Sequence, residues 1–406
     1  MRDDAFTRRR ALLIGLGVTG GAWTAPALCG YDTARASGGS VSAVSRASAP
    51  SRPAPPRAAR PELLLLGPAL QEGALEAAGY VVLQSRAFAG GQLYRLLSPA
   101  RLSTDQALSD LARRFPAATV SRNTLYRSGA FLCEGGDCLA HQAISWPLSR
   151  RVSARRIGMI DTGINLGHEA LKGANIRVFQ ADLGERSQAG RRHGTAVAAL
   201  LVGQSLSRTP GLLPDAELVA VEAFHKSGTG EAADAFTLTE AVGHLIGAGV
   251  AVINLSFEGE ENPVLHLALQ EAAARGIALV AAAGNGGAGA PPAYPAAWPE
   301  VIAVTGVDAE GRAWRQANRG PYIRFAAPGV RLWTAASISG GRLQSGTSYA
   351  APFVTAALAL RLAENPDLSL EAHLRALESC TTDLGVPGRD DIFGAGLVSL
   401  EDQCGG

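Results

Sequence analysis

The chain has 406 residues, 47% hydrophobic and 18% charged, enough apolar matter for a full core and more than one domain, which excludes a disordered tail. Lys and Arg total 37 against 36 Asp and Glu, a formal net charge of +1, so charge gives no basis for nucleic acid or an acidic membrane as partner. Forty-eight glycines and an aromatic fraction of 6% point to tight turns and close helix-on-strand packing, the habit of alternating α/β folds.

Residues 1–30 read as an export signal. Arg2 and Thr7-Arg8-Arg9-Arg10 form a basic start, residues 11–28 carry no charge, and Ala25-Pro26-Ala27 offers a small-x-small cleavage site. Retention as an uncleaved anchor is the alternative, because the run is just long enough to span a bilayer. Residues 31–60 are Ser, Ala, Pro, Gly and Arg with almost nothing to bury, which marks a linker. In an oxidising compartment Cys133, Cys138, Cys380 and Cys404 allow three pairings. The simplest joins near neighbours, Cys133 with Cys138 and Cys380 with Cys404; buried thiols are the alternative.

Residues 61–128 form a small unit. Strand-like runs at 63–66, 80–84, 92–97 and 118–126 surround helical patches at 69–78 and 104–115, which fits a compact α+β arrangement. Pattern alone leaves its function open. From Arg156 onward, within residues 129–406, strands expected at 157–160, 218–221, 250–255, 277–283 and 301–304 alternate with helices at 193–202, 237–246 and 263–275. Continuous Val, Ile and Ala runs between helices predict an α/β domain, a mainly parallel sheet covered on both faces. Its site is then expected off the carboxyl ends of the strands.

Four polar residues fall on that edge. Strand 157–160 ends in Asp161-Thr162-Gly163, a carboxylate that can be buried and aimed at one partner, or that caps a turn. His193-Gly194-Thr195 opens an apolar helix, from which an imidazole can reach over the sheet edge. Strand 277–283 ends in Gly284-Asn285-Gly286, an amide free to donate into a cavity, or a turn-forming pair. Gly346-Thr347-Ser348 leads into apolar residues 353–362, so Ser348 stands in the first turn of a buried helix, beside unpaired N–H groups and the positive end of the dipole. As a lone residue it would be an N-cap. The remaining histidines show no metal-ligand spacing; no metal ligands are assigned and calcium is left undecided.

Together the four follow the chain order Asp, His, Ser, one known order of the acyl-transfer triad. At these residues the sequence resembles the subtilase family of serine peptidases. Ile160-Asp161-Thr162-Gly163-Ile164, His193-Gly194-Thr195, Ala282-Ala283-Gly284-Asn285 and Gly346-Thr347-Ser348-Tyr349-Ala350-Ala351-Pro352 are similar to its triad and oxyanion motifs. The resemblance covers residues 150–400 and implies an exported, self-processing endopeptidase acting on polypeptides without a required cofactor. It makes Ser348 the nucleophile, His193 the general base, Asp161 its orienting carboxylate and Asn285 the oxyanion donor. An esterase using the same triad and a degenerate peptidase serving as a binding scaffold are the alternatives.

The resemblance also implies that substrate adds as a strand between two edges, Ser227-Gly228-Thr229-Gly230 and Leu255-Ser256-Phe257. Ser256, Phe257 and Glu258, with Ala282, Ala283 and Gly284, then line the pocket for the side chain before the cleaved bond. Residues 61–128 resemble the family's propeptide, an intramolecular inhibitor, with release between Tyr126 and Leu132. Three departures stand out: Tyr349 where Met is usual, Phe353 and Ala196 where His is common, and Glu258 in place of Gly. A carboxylate at position 258 either favours a basic residue before the cleaved bond or, as an exposed Glu ordinarily is, is simply solvated.

Overall fold

The computed structural model describes residues 62–71, 73–128, 131–132 and 154–400, with single positions at 60, 144 and 146. The export segment, the linker, and the cysteines at 133, 138 and 404 lie outside the described residues. Cys380 is buried.

The N-terminal unit comprises β1 (Glu62–Gly67), α1 (Ala74–Ala77), β2 (Val81–Phe88), β3 (Gly91–Leu97), α2 (Thr104–Arg114) and β4 (Thr119–Arg122). Its four strands form one sheet in the order β2-β3-β1-β4. Leu63, Leu65 and Leu96 bury against Ala107 and Leu111 of α2. Ser103 caps α2 through a reciprocal capping box with Gln106. The helix expected over 69–78 shrinks to one turn, because Gly73 at φ 76° turns the chain immediately before it.

The strand expected over 118–126 divides. β4 completes the first sheet, whereas β5 (Leu125–Ser128) leaves it, followed by β6 (Phe131–Leu132). Two helix starts hold the break between them. Asn262 accepts from Val264 and Leu265 N–H at 3.0 and 3.1 Å, donates to the Arg122 carbonyl at 2.6 Å and to Thr124 Oγ1 at 3.1 Å. The Phe236 and Ala235 N–H groups donate to Asn123 Oδ1 and the Thr124 carbonyl at 3.0 and 2.9 Å. The turn thus satisfies unpaired N–H groups at the start of α4 directly and binds the start of α5 through its N-cap, Asn262.

The main body is built from β7 (Ile157–Asp161), β8 (Ile176–Gln180), α3 (Arg192–Val202), β9 (Leu218–Glu222), β10 (His225–Ser227), β11 (Gly230–Asp234), α4 (Ala235–Gly247), β12 (Val252–Leu255), β13 (Phe257–Gly259), α5 (Pro263–Ala274), β14 (Ala278–Ala282), β15 (Val301–Val307), β16 (Ile323–Pro328), β17 (Leu332–Ala335), β18 (Gly341–Ser345), α6 (Thr347–Glu364) and α7 (Leu370–Glu378). Seven strands run parallel in the order β16-β15-β14-β12-β7-β9-β8.

Alternation along the strands sorts the core into two layers. Ile157, Met159, Leu218, Ala220 and Val280 join α3 and α6 on one face. Ile160, Val219, Val221, Ile253 and Leu279 join α4 and α5 on the other. The α/β class expected from the sequence is therefore present, with β8 as an additional, largely exposed edge strand.

Candidate active site

β7, β12 and β14 deliver their polar residues at their carboxyl ends, and α3 and α6 begin above the same edge. Asp161, 2% exposed, places Oδ1 at 2.7 Å from His193 Nδ1, and the same oxygen accepts the Thr162 N–H at 2.7 Å. A carboxylate so held can keep the ring's proton on Nδ1 and fix the ring's orientation. Gly194 is required where helix α3 meets β7. A Cβ at that position would lie 2.5 Å from the Thr162 carbonyl oxygen and 2.8 Å from that of Gly163. His193 Nε2 is buried without a protein partner.

Ser348 is buried in the first turn of α6. Pro352, four residues on, has no N–H to give the Ser348 carbonyl. That carbonyl instead accepts the Ser256 hydroxyl at 2.7 Å. Asn254 donates to Ser256 Oγ at 2.8 Å and accepts from Thr355 Oγ1 at 3.0 Å. This chain of fully paired, buried groups ties the serine's backbone to the end of β12 and back to its own helix. Sequence reading missed it; the one local signal is a proline just inside an otherwise regular helix.

Asn285 is held by its oxygen. Thr347 donates both N–H and Oγ1 to Asn285 Oδ1, at 3.0 and 2.9 Å, and Nδ2 is left buried with no protein partner. The amide can therefore only present its NH₂ outward, as an oxyanion donor must. Asn285→Ala is expected to lower turnover by about 10²- to 10³-fold with KM little changed, a magnitude carried over from a subtilisin; steady-state kinetics on a peptide substrate measure it.

Tyr349 is wholly buried, its ring 5.3 Å from that of His193 and tilted by 45°. Its hydroxyl has no partner; burial pushes the phenol's pKa up and the charge of Asp161 adds to this. It thus packs behind the imidazole as a neutral wall.

β5 lies between β11 and β13, antiparallel to both, with Ala232↔Arg127, Ala233↔Tyr126 and Asp234↔Leu125 on one side and Phe257↔Ser128, Glu258↔Arg127 and Gly259↔Tyr126 on the other. β6 pairs with β18, the strand leading to Ser348, through Phe131↔Ser345 and Leu132↔Gln344. The N-terminal unit's own tail therefore runs through the edge where an extended peptide would add. Gly228 and Thr229 lie in the turn between β10 and β11 and Gly230 pairs with Ser227; the residues facing the added strand are Ala232, Ala233 and Asp234 instead. Leu255 is enclosed within the sheet, whereas Phe257 and Glu258 pair with the tail. Ala282 ends β14, the Ala283 N–H donates to the Val304 carbonyl at 3.0 Å, and the Gly284 N–H reaches Thr347 Oγ1 at 3.3 Å. Among the described residues, no group of three or more His, Cys, Asp or Glu side chains could hold a metal ion.

Comparison with known proteins agrees with this geometry. A family model described as the subtilase family matches residues 153–396. Subtilisin DY of Bacillus licheniformis is 32% identical over 253 residues, 61% of this chain and 89% of that one. The minor extracellular protease Epr of Bacillus subtilis (strain 168) is 30% identical over 214 residues, 52% of this chain and 33% of that one, so the chain spans a third of that relative's length. Among solved structures, fervidolysin from Fervidobacterium pennivorans, a keratinolytic enzyme related to subtilisin, shares the fold at a TM-score of 0.73 and 20% identity, over 84% of this chain and 60% of that one. With Asp, His, Asn and Ser gathered at one sheet edge and the family model spanning the body that carries them, the chain belongs to the subtilase family of serine endopeptidases.

Proposed function

We propose that this chain is an exported endopeptidase made as a self-processing precursor. The Ser348 hydroxyl attacks the substrate carbonyl as His193 takes its proton. The resulting oxyanion is held by Asn285 Nδ2 and the Ser348 N–H. The tetrahedral adduct collapses to an acyl-enzyme as His193 returns the proton to the leaving amine, and water completes the cycle through the same residues. Asp161 supports the imidazolium in both halves. The observation that carries the reading is the 2.7 Å Asp161–His193 pair on the same edge as an amide whose oxygen is already committed to Thr347.

Residues 62–128 act as propeptide and inhibitor in this reading. Their tail occupies both edges of the cleft, one set of pairings ending at Ser128 and the other beginning at Phe131. The Gly129–Ala130 bond is the proposed processing point. Beyond the cleft, Arg86 pairs with Asp182 at 3.0 Å and Glu240 at 2.9 Å, contacts that join the unit to the body. Export is supported by the basic start and uncharged run at residues 1–28 and by the extracellular description of the Epr relative. Among the described residues no helix is long and apolar enough to cross a membrane.

Mass spectrometry and N-terminal sequencing of purified wild type and Ser348→Ala test this. The wild type is expected to yield a body beginning at Ala130, while Ser348→Ala stays joined. Normal processing of the alanine variant, or a single start before Pro61, would count against self-processing.

A further inference from the structure

β12 and β14 remain paired only as far as Leu255↔Ala281. Past that point the two paths find other partners. On the β14 path the Ala283 and Gly284 N–H groups donate to the Val304 carbonyl and Thr347 Oγ1, and on the β12 path the Ser256 hydroxyl donates to the Ser348 carbonyl. The next bond between the two paths comes from a side chain: Glu258 Oε2 accepts the Asn285 N–H at 2.7 Å. The gap between Ser256–Glu258 and Ala282–Asn285 is thus bridged by Glu258, next to the amide assigned to the oxyanion.

The β13 register places this gap relative to a substrate. Ser128 faces Phe257, so the following substrate position, the last before the cleaved bond, is aligned with Ser256 at the mouth of the gap. We propose that Glu258 closes the pocket for that residue by its bulk, restricting cleavage to bonds that follow glycine or alanine. This rests on the peptidase reading above and adds the substrate class to it.

Two further observations favour bulk over charge. Glu258 is half-buried, and one of its oxygens is committed to a backbone donor. Burial also pushes its carboxyl pKa up, with the backbone N–H and the side-chain amide of Asn285 pulling the other way, so the group enters its neutral form more readily than an exposed Glu. A receptor for Lys or Arg needs the opposite, a firmly ionised carboxylate turned to the ligand. In the sequence the residue that follows Ser128 is a glycine. On this proposal Glu258 is not a receptor for a basic residue.

Peptides differing only at the residue before the cleaved bond (Gly, Ala, Phe or Lys), with wild type, Glu258→Gln and Glu258→Gly, form the test. Active enzyme is counted by a fluorophosphonate reagent on Ser348. Wild type should cleave after Gly and Ala at least about 10-fold more efficiently than after Phe or Lys, the scale on which an apolar pocket discriminates size. Glu258→Gln, of equal size, should keep that order; Glu258→Gly should gain about 10-fold or more after Phe. Efficient wild-type cleavage after Phe would overturn the proposal. So would a preference for Lys that is lost in Glu258→Gln, which would make Glu258 a cation receptor. Absence of labelling at Ser348 in wild type would defeat the peptidase reading itself, a result separable from labelled enzyme with a different preference.

Discussion

Ser348→Ala is expected to lower peptide hydrolysis by about 10⁶-fold, the scale known for loss of this nucleophile in a subtilisin. The physical case here is the isolation of the hydroxyl as the one component removed. Alanine is the best helix former, and the site lies in the first turn of α6, so the helix is not weakened. The bond from Ser256 goes to the Ser348 carbonyl and survives the substitution, as does the Thr347 hold on Asn285. Binding and oxyanion groups therefore persist, and a residual rate about 10³- to 10⁴-fold above water is expected from them. Initial rates on a fluorogenic peptide, with thermal unfolding to confirm an unchanged fold, measure this. A loss below 100-fold with the fold intact would mean that another group supplies the nucleophile.

The parts of the site that were legible in the sequence share a physical origin. Asp161 and Asn285 each follow a buried Val, Ile or Ala run and precede or follow glycine, a transition that forces a polar group to the sheet edge. His193 and Ser348 stand at the start of helices whose remaining residues are almost all buried, which leaves the first turn as the only place for chemistry. What was not legible depends on partners distant in the chain. The run 118–126 carries only Asn123 and its polar neighbours as a break signal; it divides because Asn262 and the start of α4 bind Arg122, Asn123 and Thr124 more than a hundred residues away. The glycines at 228 and 230 mark a turn, but strand pairing is fixed by register against β5, which moves the paired edge to Ala232–Asp234. The direction of Glu258 was equally hidden. Its residue type suggested a charge facing substrate, and its reach to a backbone N–H turns it into a partition.

Asp161→Asn is expected to cost about 10⁴-fold in kcat, roughly 5 kcal/mol of transition-state stabilisation, a scale carried over from loss of this carboxylate in a subtilisin. Asparagine nearly matches the shape, so the effect separates charge from packing. Oδ1 of Asp161 receives both the Thr162 N–H and His193 Nδ1, while Oδ2 has no protein partner. The Thr162 donor should therefore keep the amide oxygen toward His193 and turn the NH₂ to the Oδ2 position. In that orientation the ring keeps its proton on Nδ1, and the loss falls on the imidazolium that forms as Ser348 attacks, now without a compensating charge in a buried site. Processing of the precursor should slow by a similar factor, since the same residues cut it. The pair Asp161→Asn with Ser348→Ala should be no slower than Ser348→Ala alone, because the carboxylate acts only through the base that serves the serine. Rates for the two single variants and the double variant decide this. A loss for Asp161→Asn below 10-fold, or losses that multiply, would reduce Asp161 to a turn residue that holds Thr162 in place.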